Sequence, residues 1–409
     1  MTITESTLTG NRARFGSGGA IKNCNGEIII SKSTLTGNTA EWDGGAIENS
    51  WTGKLTIMES SFQENIADEN GMDIFNNGRI FSKEDISDAI QIHNDGIGKF
   101  YHLKSLKDNQ KDFTYLDDLI NTEANEIKLE NDIVLNVANN EQKTFKNGIK
   151  IDRNNLVIDG NGHAIDARGL TRIFHCTGKN ITIKNIVLEN GCAEENGGAI
   201  YNNDGEVTIT ESTLKGNIAQ GNHHGGGAIY SDGRLEMIGS TLTGNTAEWD
   251  GGAIYNSEGE LTITSSTLND NTAHDEGGAI FNWKGEITIT GSAFNNNTCY
   301  FDGGAIHSSH GELTITDSTL TGNTTHEWRG GAIHSDGRLE MVGSTFTGNS
   351  AVFGGAVLNE GRLEMVGSTF TGNSATYGGA IYLYESRNYE SKNCTFKDNN
   401  PDDVFESKD

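Results

Sequence analysis

The chain has one proline in 409 residues, 30 basic side chains against 57 acidic ones, and no apolar run long enough to cross a membrane as a helix. Proline interrupts backbone ladders, so its near absence leaves long hydrogen-bonded ladders open to the fold. A formal charge of −27 argues against nucleic acid and anionic membrane surfaces as partners. The five cysteines, at 24, 176, 192, 299 and 394, are odd in number and do not recur at a fixed spacing. Neither a disulfide framework nor a Cys-x-x-Cys metal site can be read from them. No basic and then apolar leader opens the chain. Met1 to Asn11 falls in the middle of a repeat, and the chain is expected to be a piece of a longer reading frame.

Glycine, by contrast, is abundant and periodic. Ten Gly-Gly-Ala-Ile-like tetrads begin at Gly18, Gly44, Gly197, Gly226, Gly251, Gly277, Gly303, Gly330, Gly354 and Gly378, spaced 24 to 29 residues apart within each run. A period in this range marks a solenoid. In the period from Gly251, Leu261 and Ile263 alternate with Thr262 and Thr264, and Leu268 continues the inward face after a bend. Three short strands per period cannot form a sheet along the chain, so each must pair with its copy one period later. The expected fold is all-β, a parallel β-helix with coils about 4.8 Å apart.

Three inward columns follow. The first is Val207, Leu235, Leu261, Ile287, Leu313, Leu339 and Leu363. The second is Ile209, Ile263, Ile289 and Ile315, with Ile238, Val342 and Val366 entering one residue late. The third runs from Leu214 through Leu242, Leu268, Phe294, Leu320, Phe346 and Phe370 to Phe396. Three residues after its members stand Asn217, Asn245, Asn271, Asn297, Asn323, Asn349 and Asn373, expected to form a structural ladder that satisfies the backbone at a bend.

The repeat lapses between about residues 76 and 196. Ser82 to Ile90 and Phe113 to Asn121 read as short helices capped by Ser82 and Thr114. The second helix is expected to cover the first coil of a new stack. Asn70 to Phe75 and Asn400 to Phe405 share Asp-Ile/Val-Phe, read as one terminator used twice. The expected organisation is therefore 1–80 as terminal coils of an upstream β-helix, 81–112 as a linker with a short helix, and 113–409 as a capped β-helix. In the last, 113–196 is an irregular lead-in and 197–400 carries the regular repeats. Ser33 to Ile47 recurs unchanged as Ser240 to Ile254, which fits a spacer or display surface better than a catalytic centre.

Two aromatic stripes are candidate binding surfaces. Tyr201, Tyr230, Tyr255, Phe281, His307, His334, Leu358 and Tyr382 follow the tetrads; they are read either as an outward stacking platform or as mere cover along the sheet. Trp42, Trp249, Phe301, Trp328, Phe353 and Tyr377 precede the tetrads on loops. Asp159, Asp166 and Arg168 carry the alternative, a polysaccharide lyase or hydrolase acting on acidic glycans. Outward Thr-x-Thr rows raise ice binding, but Glu236, Glu340 and Glu364 break the array. His223, His224, His274 and His326 share no register as metal ligands, and no metal or cofactor is expected.

The tetrads with Phe/Leu-x-x-Asn resemble the repeats of chlamydial polymorphic outer-membrane proteins. Val157 to Gly169, with Asn180 to Asn185, is similar to the adhesin-like surface proteins of methanogenic archaea. The resemblance implies a right-handed parallel β-helix that serves as a non-catalytic adhesin at the cell surface or outside the cell, with a glycan or surface protein as partner. No oligomeric state is assigned by the sequence.

Overall fold

The computed structural model describes residues 1–82, 90–94, 98–102, 106–221, 225–384 and 389–407. Within one period, Ile254–Ser257, Glu260–Thr264 and Thr267–Asn269 are strands, and each pairs in parallel with its copy one period on: Ile254 with Ile280, Leu261 with Ile287, Leu268 with Phe294. The same pairing recurs along the chain, which is a parallel β-solenoid. It divides into two compact units, residues 1–105 and 106–409. Among the described residues, the first unit has parallel sheets of five, four, three and three strands. The second, counted in the same way, has sheets of twelve, eleven and eleven strands, and a further six-stranded one. That last sheet consists of two-residue strands such as Thr272–Ala273, a fourth side where three were expected. It forms because the chain stays extended just after each ladder asparagine and meets its copy there.

The inward columns hold without the one-residue slip expected at Ile238, Val342 and Val366. Met237 pairs with Ile209 and Ile263, and Met341 with Ile315 and Met365; all three methionines are buried. Ile238 and Val366 point outward and are exposed. A slip would have broken the ladder, whereas unbranched methionine fills the interior without disturbing the alternation.

The two tetrad glycines have different reasons. Gly251 adopts φ +64°, which disfavours a side chain. Gly252 is needed for contact: a Cβ there would stand 2.1 Å from the Gly278 carbonyl oxygen of the next coil. Beside these bends, Asn217, Asn245, Asn271, Asn297, Asn323, Asn349 and Asn373 stack in register. Each side-chain amide donates to the next asparagine's Oδ1 at 2.9–3.0 Å and to a backbone carbonyl of the preceding coil. A parallel serine ladder, from Ser212 through Ser240 and Ser266 to Ser368, accepts backbone N–H groups at another bend.

The helix at Phe113–Ile120 covers the first coils of the second unit, with Phe113, Leu116 and Ile120 fully buried against strands Asp132–Val134 and Ile149–Ile151. Its cap is Asp112, which accepts from the Tyr115 N–H at 3.1 Å, rather than Thr114. Thr114 lies inside the first turn and donates its hydroxyl to buried Glu141 at 2.6 Å. The helix expected at Ser82 to Ile90 lies outside the described residues save for its ends, and Ser82 itself closes the strand Arg79–Ser82. Asp73-Ile74-Phe75 does not terminate its stack. Ile74–Asn76 pairs with Ile47–Asn49 on one side and with Ile92–Asn94 on the other, so a further coil follows. Val404–Glu406 pairs with Ile381–Leu383.

Candidate functional site

Tyr230, Tyr255 and Phe281 are 8%, 3% and 4% exposed, so they form no outward platform. They belong to a covered stack: ring centres lie 5.1 Å apart from Tyr201 to Tyr230, then 5.3 Å to Tyr255, 5.0 Å to Phe281, 5.1 Å to His307 and 4.5 Å to His334. Leu358 and Tyr382 continue the register. At one end the Arg172 guanidinium lies 4.9 Å from the Tyr201 ring centre, and burial lowers its pKa to about 10. At four rings toward the C-terminal end, the residue just before a tetrad reaches the stack. Glu276 lies 2.8 Å from His307, Asp302 lies 3.5 Å from His334, Phe353 meets Tyr382 edge-on at 5.3 Å, and Tyr377 meets Phe405 at 5.6 Å. In each case the covering side chain belongs to the coil before the ring it covers.

The loop aromatics occupy two adjacent columns. Phe353 and Tyr377 are in register with each other and with Arg329 and Asp302, directly before the glycines. Trp249, Phe301 and Trp328 stand one residue earlier. Trp249, Trp328 and Tyr377 are exposed, whereas Phe301 and Phe353 are half-buried. Tyr377 stacks on Phe353 at 5.4 Å, and the Arg329 guanidinium lies 5.4 Å from the Trp328 ring centre. Sequence reading missed Tyr300, an exposed ring whose hydroxyl donates to Glu327 at 2.6 Å and which His274 and His326 flank at 6.2 and 6.4 Å. Its signal was a loop that carries a ring at neighbouring positions of successive periods. Neighbouring partners therefore hold Tyr300, Trp328 and Tyr377 at set positions on one ridge.

Asp159, Asp166 and Arg168 do not converge. Asp159 lines a cleft of about 490 Å³ with Lys128, Asn161, Asn185, Glu211 and Thr213. Burial opposes its charge, but the Asn161 N–H, the Asn185 amide and Lys184 together hold its carboxyl below the usual range. Asp166 and Arg168 are not among the residues lining the cleft. Burial raises the Asp166 carboxyl, which accepts from the Asn190 amide and the Arg168 N–H. The Arg168 guanidinium is itself buried. Glu236, Glu340 and Glu364 sit in the same outward row as Thr262, Thr288 and Thr314, breaking the threonine array. Among the described residues, no group of three or more His, Cys, Asp or Glu side chains is placed to hold a metal ion. His223 and His224 lie outside the described residues.

The fold and the ridge define a β-solenoid repeat protein with a covered aromatic spine and a line of loop aromatics along one edge. Residues 111–220 match the family model of a pectate lyase-like adhesive domain, and residues 239–257, 265–282 and 367–384 match the Chlamydia polymorphic membrane protein repeat. No curated protein and no solved structure matches the chain. The adhesive-domain and repeat matches point to an adhesin-like role at the surface.

Proposed function

We propose that this chain is a non-catalytic adhesin, displayed at the cell surface or outside the cell, that binds glycans through the ridge formed by Trp249, Tyr300, Phe301, Trp328, Phe353 and Tyr377. What carries the proposal is that Trp249, Tyr300, Trp328 and Tyr377 stay exposed on these loops while Tyr230, Tyr255, Phe281 and Tyr382 in the adjoining column are buried. Exposing aromatic surface costs free energy, and a solenoid places such rings at multiples of about 4.8 Å, a length comparable to one sugar unit. Flat rings stack on the apolar faces of sugars. The two family matches support an adhesive role, and the separation of Asp159 from Asp166 and Arg168 weighs against the lyase alternative.

The test is retention of the whole chain on a panel of immobilised polysaccharides, with mass spectrometry of the supernatant for cleaved fragments. Retention without cleavage is expected. Trp249→Ala, Trp328→Ala and Tyr377→Ala should each weaken it up to about tenfold, corresponding to about 0.5–1.5 kcal/mol per ring, with the far-UV spectrum unchanged. Retention that survives all three substitutions together would remove the ridge from the function, and cleaved fragments would put the lyase reading first.

A further inference from the structure

Along the covered stack, two imidazoles replace the phenyl and phenol rings where the surroundings turn acidic. His307 and His334 are 6% and 3% exposed. Phe281 meets His307 edge-on, and Leu358 follows His334 in register. From the preceding loops, Glu276 Oε2 lies 2.8 Å from His307 Nδ1, and Asp302 Oδ2 lies 3.5 Å from His334 Nδ1. From the following coil, Glu360 Oε1 lies 3.5 Å from His334 Nε2 and also 2.8 Å from Arg329 Nη1. Asp275 acts on His307, the buried thiol of Cys299 faces Asp302 and Glu276, and Asp250 acts on Glu276 and Asp275. Contacts of 3.5, 2.8 and 5.4 Å thus link the buried imidazole of His334 through Glu360 and Arg329 to the exposed indole of Trp328.

The charge balance at this point is tight. With Asp302 and Glu360 ionised, Arg329 and one imidazolium supply two positive charges against two negative ones. Without the imidazolium, Arg329 is left as the permanent cation that the described residues place beside both carboxylates, and a buried carboxylate without a partner is costly. Asp302 and Arg329 are neighbours in the same bridged column, so the guanidinium can be drawn toward Asp302 and off the Trp328 ring.

We infer that His334 is a proton-operated positioning residue for Trp328: as a cation it shares Glu360 with Arg329 and keeps the guanidinium over the indole, and as a neutral ring it lets that arrangement go. Burial by itself lowers the imidazole's affinity for a proton, but the facing carboxylates of Asp302 and Glu360 outweigh it and push the pKa up to about 9. The cation therefore persists through neutral pH and is lost as pH rises through that value. The His334 contact, and despite burial the same pairing at Asp302, hold the two carboxyls below their ordinary range, so the arrangement also survives mild acid. The consequence for glycan binding rests on the ridge being the binding face; the motion of Trp328 does not.

The experiment labels the whole chain with 5-fluorotryptophan and follows the Trp328 fluorine resonance, identified by its loss in Trp328→Phe, from pH 6 to 10. The wild-type resonance should move with a midpoint near 9. It should stay still in His334→Gln, and the same loss of response is expected in Glu360→Gln, which keeps the imidazole but breaks the relay. A flat wild-type titration overturns the inference without any variant having to fold, as does an unchanged titration in His334→Gln. Because no ligand is present, either result leaves the glycan reading to its own retention test.

Discussion

The side-chain oxygen of Asn271 accepts both the backbone N–H and the side-chain amide of Asn245, at 3.1 and 3.0 Å. Its own amide returns to the Leu242 carbonyl at 3.1 Å. Asn271→Ala would therefore leave two donors and one acceptor unpaired in a fully buried bend. At about 1–3 kcal/mol for each unsatisfied group, partly relieved by relaxation, the loss should be about 2–4 kcal/mol. Urea denaturation of the purified protein measures it, and a midpoint equal to that of the wild type would deny the ladder any stabilising role.

Gly252 and Gly244 separate two effects that sequence alone merges. Gly252→Ala forces a methyl group to within 2.1 Å of the Gly278 oxygen, and the coil spacing cannot yield there without breaking the ladder. Gly244 has φ +59° and nothing within 4 Å of an added Cβ. Gly244→Ala should cost about 1–2 kcal/mol from backbone strain alone. Gly252→Ala should cost clearly more and lower soluble yield. Comparable stability of the two variants, compared by thermal unfolding, would contradict this.

Glu141 caps the covering helix from a distance. Its carboxylate accepts from the Phe113 N–H at 3.2 Å, the Thr114 N–H at 2.7 Å, the Thr114 hydroxyl at 2.6 Å and the Asn136 N–H at 2.6 Å. Glu141→Ala strands three backbone donors and should cost about 3–5 kcal/mol. Asp112→Ala removes only the local cap and should cost about 1 kcal/mol. Equilibrium unfolding should rank the two variants in this order.

Stability should fall with alkali through Asp250. Burial, with Glu276 and Asp275 close by, pushes its carboxyl up to about 8. A raised carboxyl binds its proton more tightly in the folded state, so its contribution is complete below the ordinary value of 3.8 and is lost as pH rises through about 8. Asp250→Asn should therefore raise the melting temperature at pH 8 by more than at pH 4. An equal change at both pH values would show that Asp250 titrates normally.

The local periods of the chain were enough to read the coil, its inward columns and the asparagine column, because alternation and the residues at bends are properties of a few neighbours. The slip expected at Ile238, Val342 and Val366 arose from favouring branched residues over Met237, Met341 and Met365, and strand pairing across coils removed it. Thr114 was read as a cap because a threonine at the start of an apolar pattern usually is one. Asp112 and Glu141, the latter 27 residues further on than Thr114, do that work together.

The sequence by itself determined that the chain must coil and stack, since strands this short have no other partners. Which aromatic rings face solvent was decided only in three dimensions. Tyr255 and Trp249 both look like candidates for a binding surface, yet Tyr255 is buried and Trp249 is exposed. At His307, His334, Tyr382 and Phe405 a side chain from before the preceding tetrad reaches the ring, so the surroundings of these rings depend on residues about a period away along the chain. The same folding-over brought His334, Asp302, Arg329 and Glu360, scattered over 59 residues of sequence, into one charged cluster beneath Trp328.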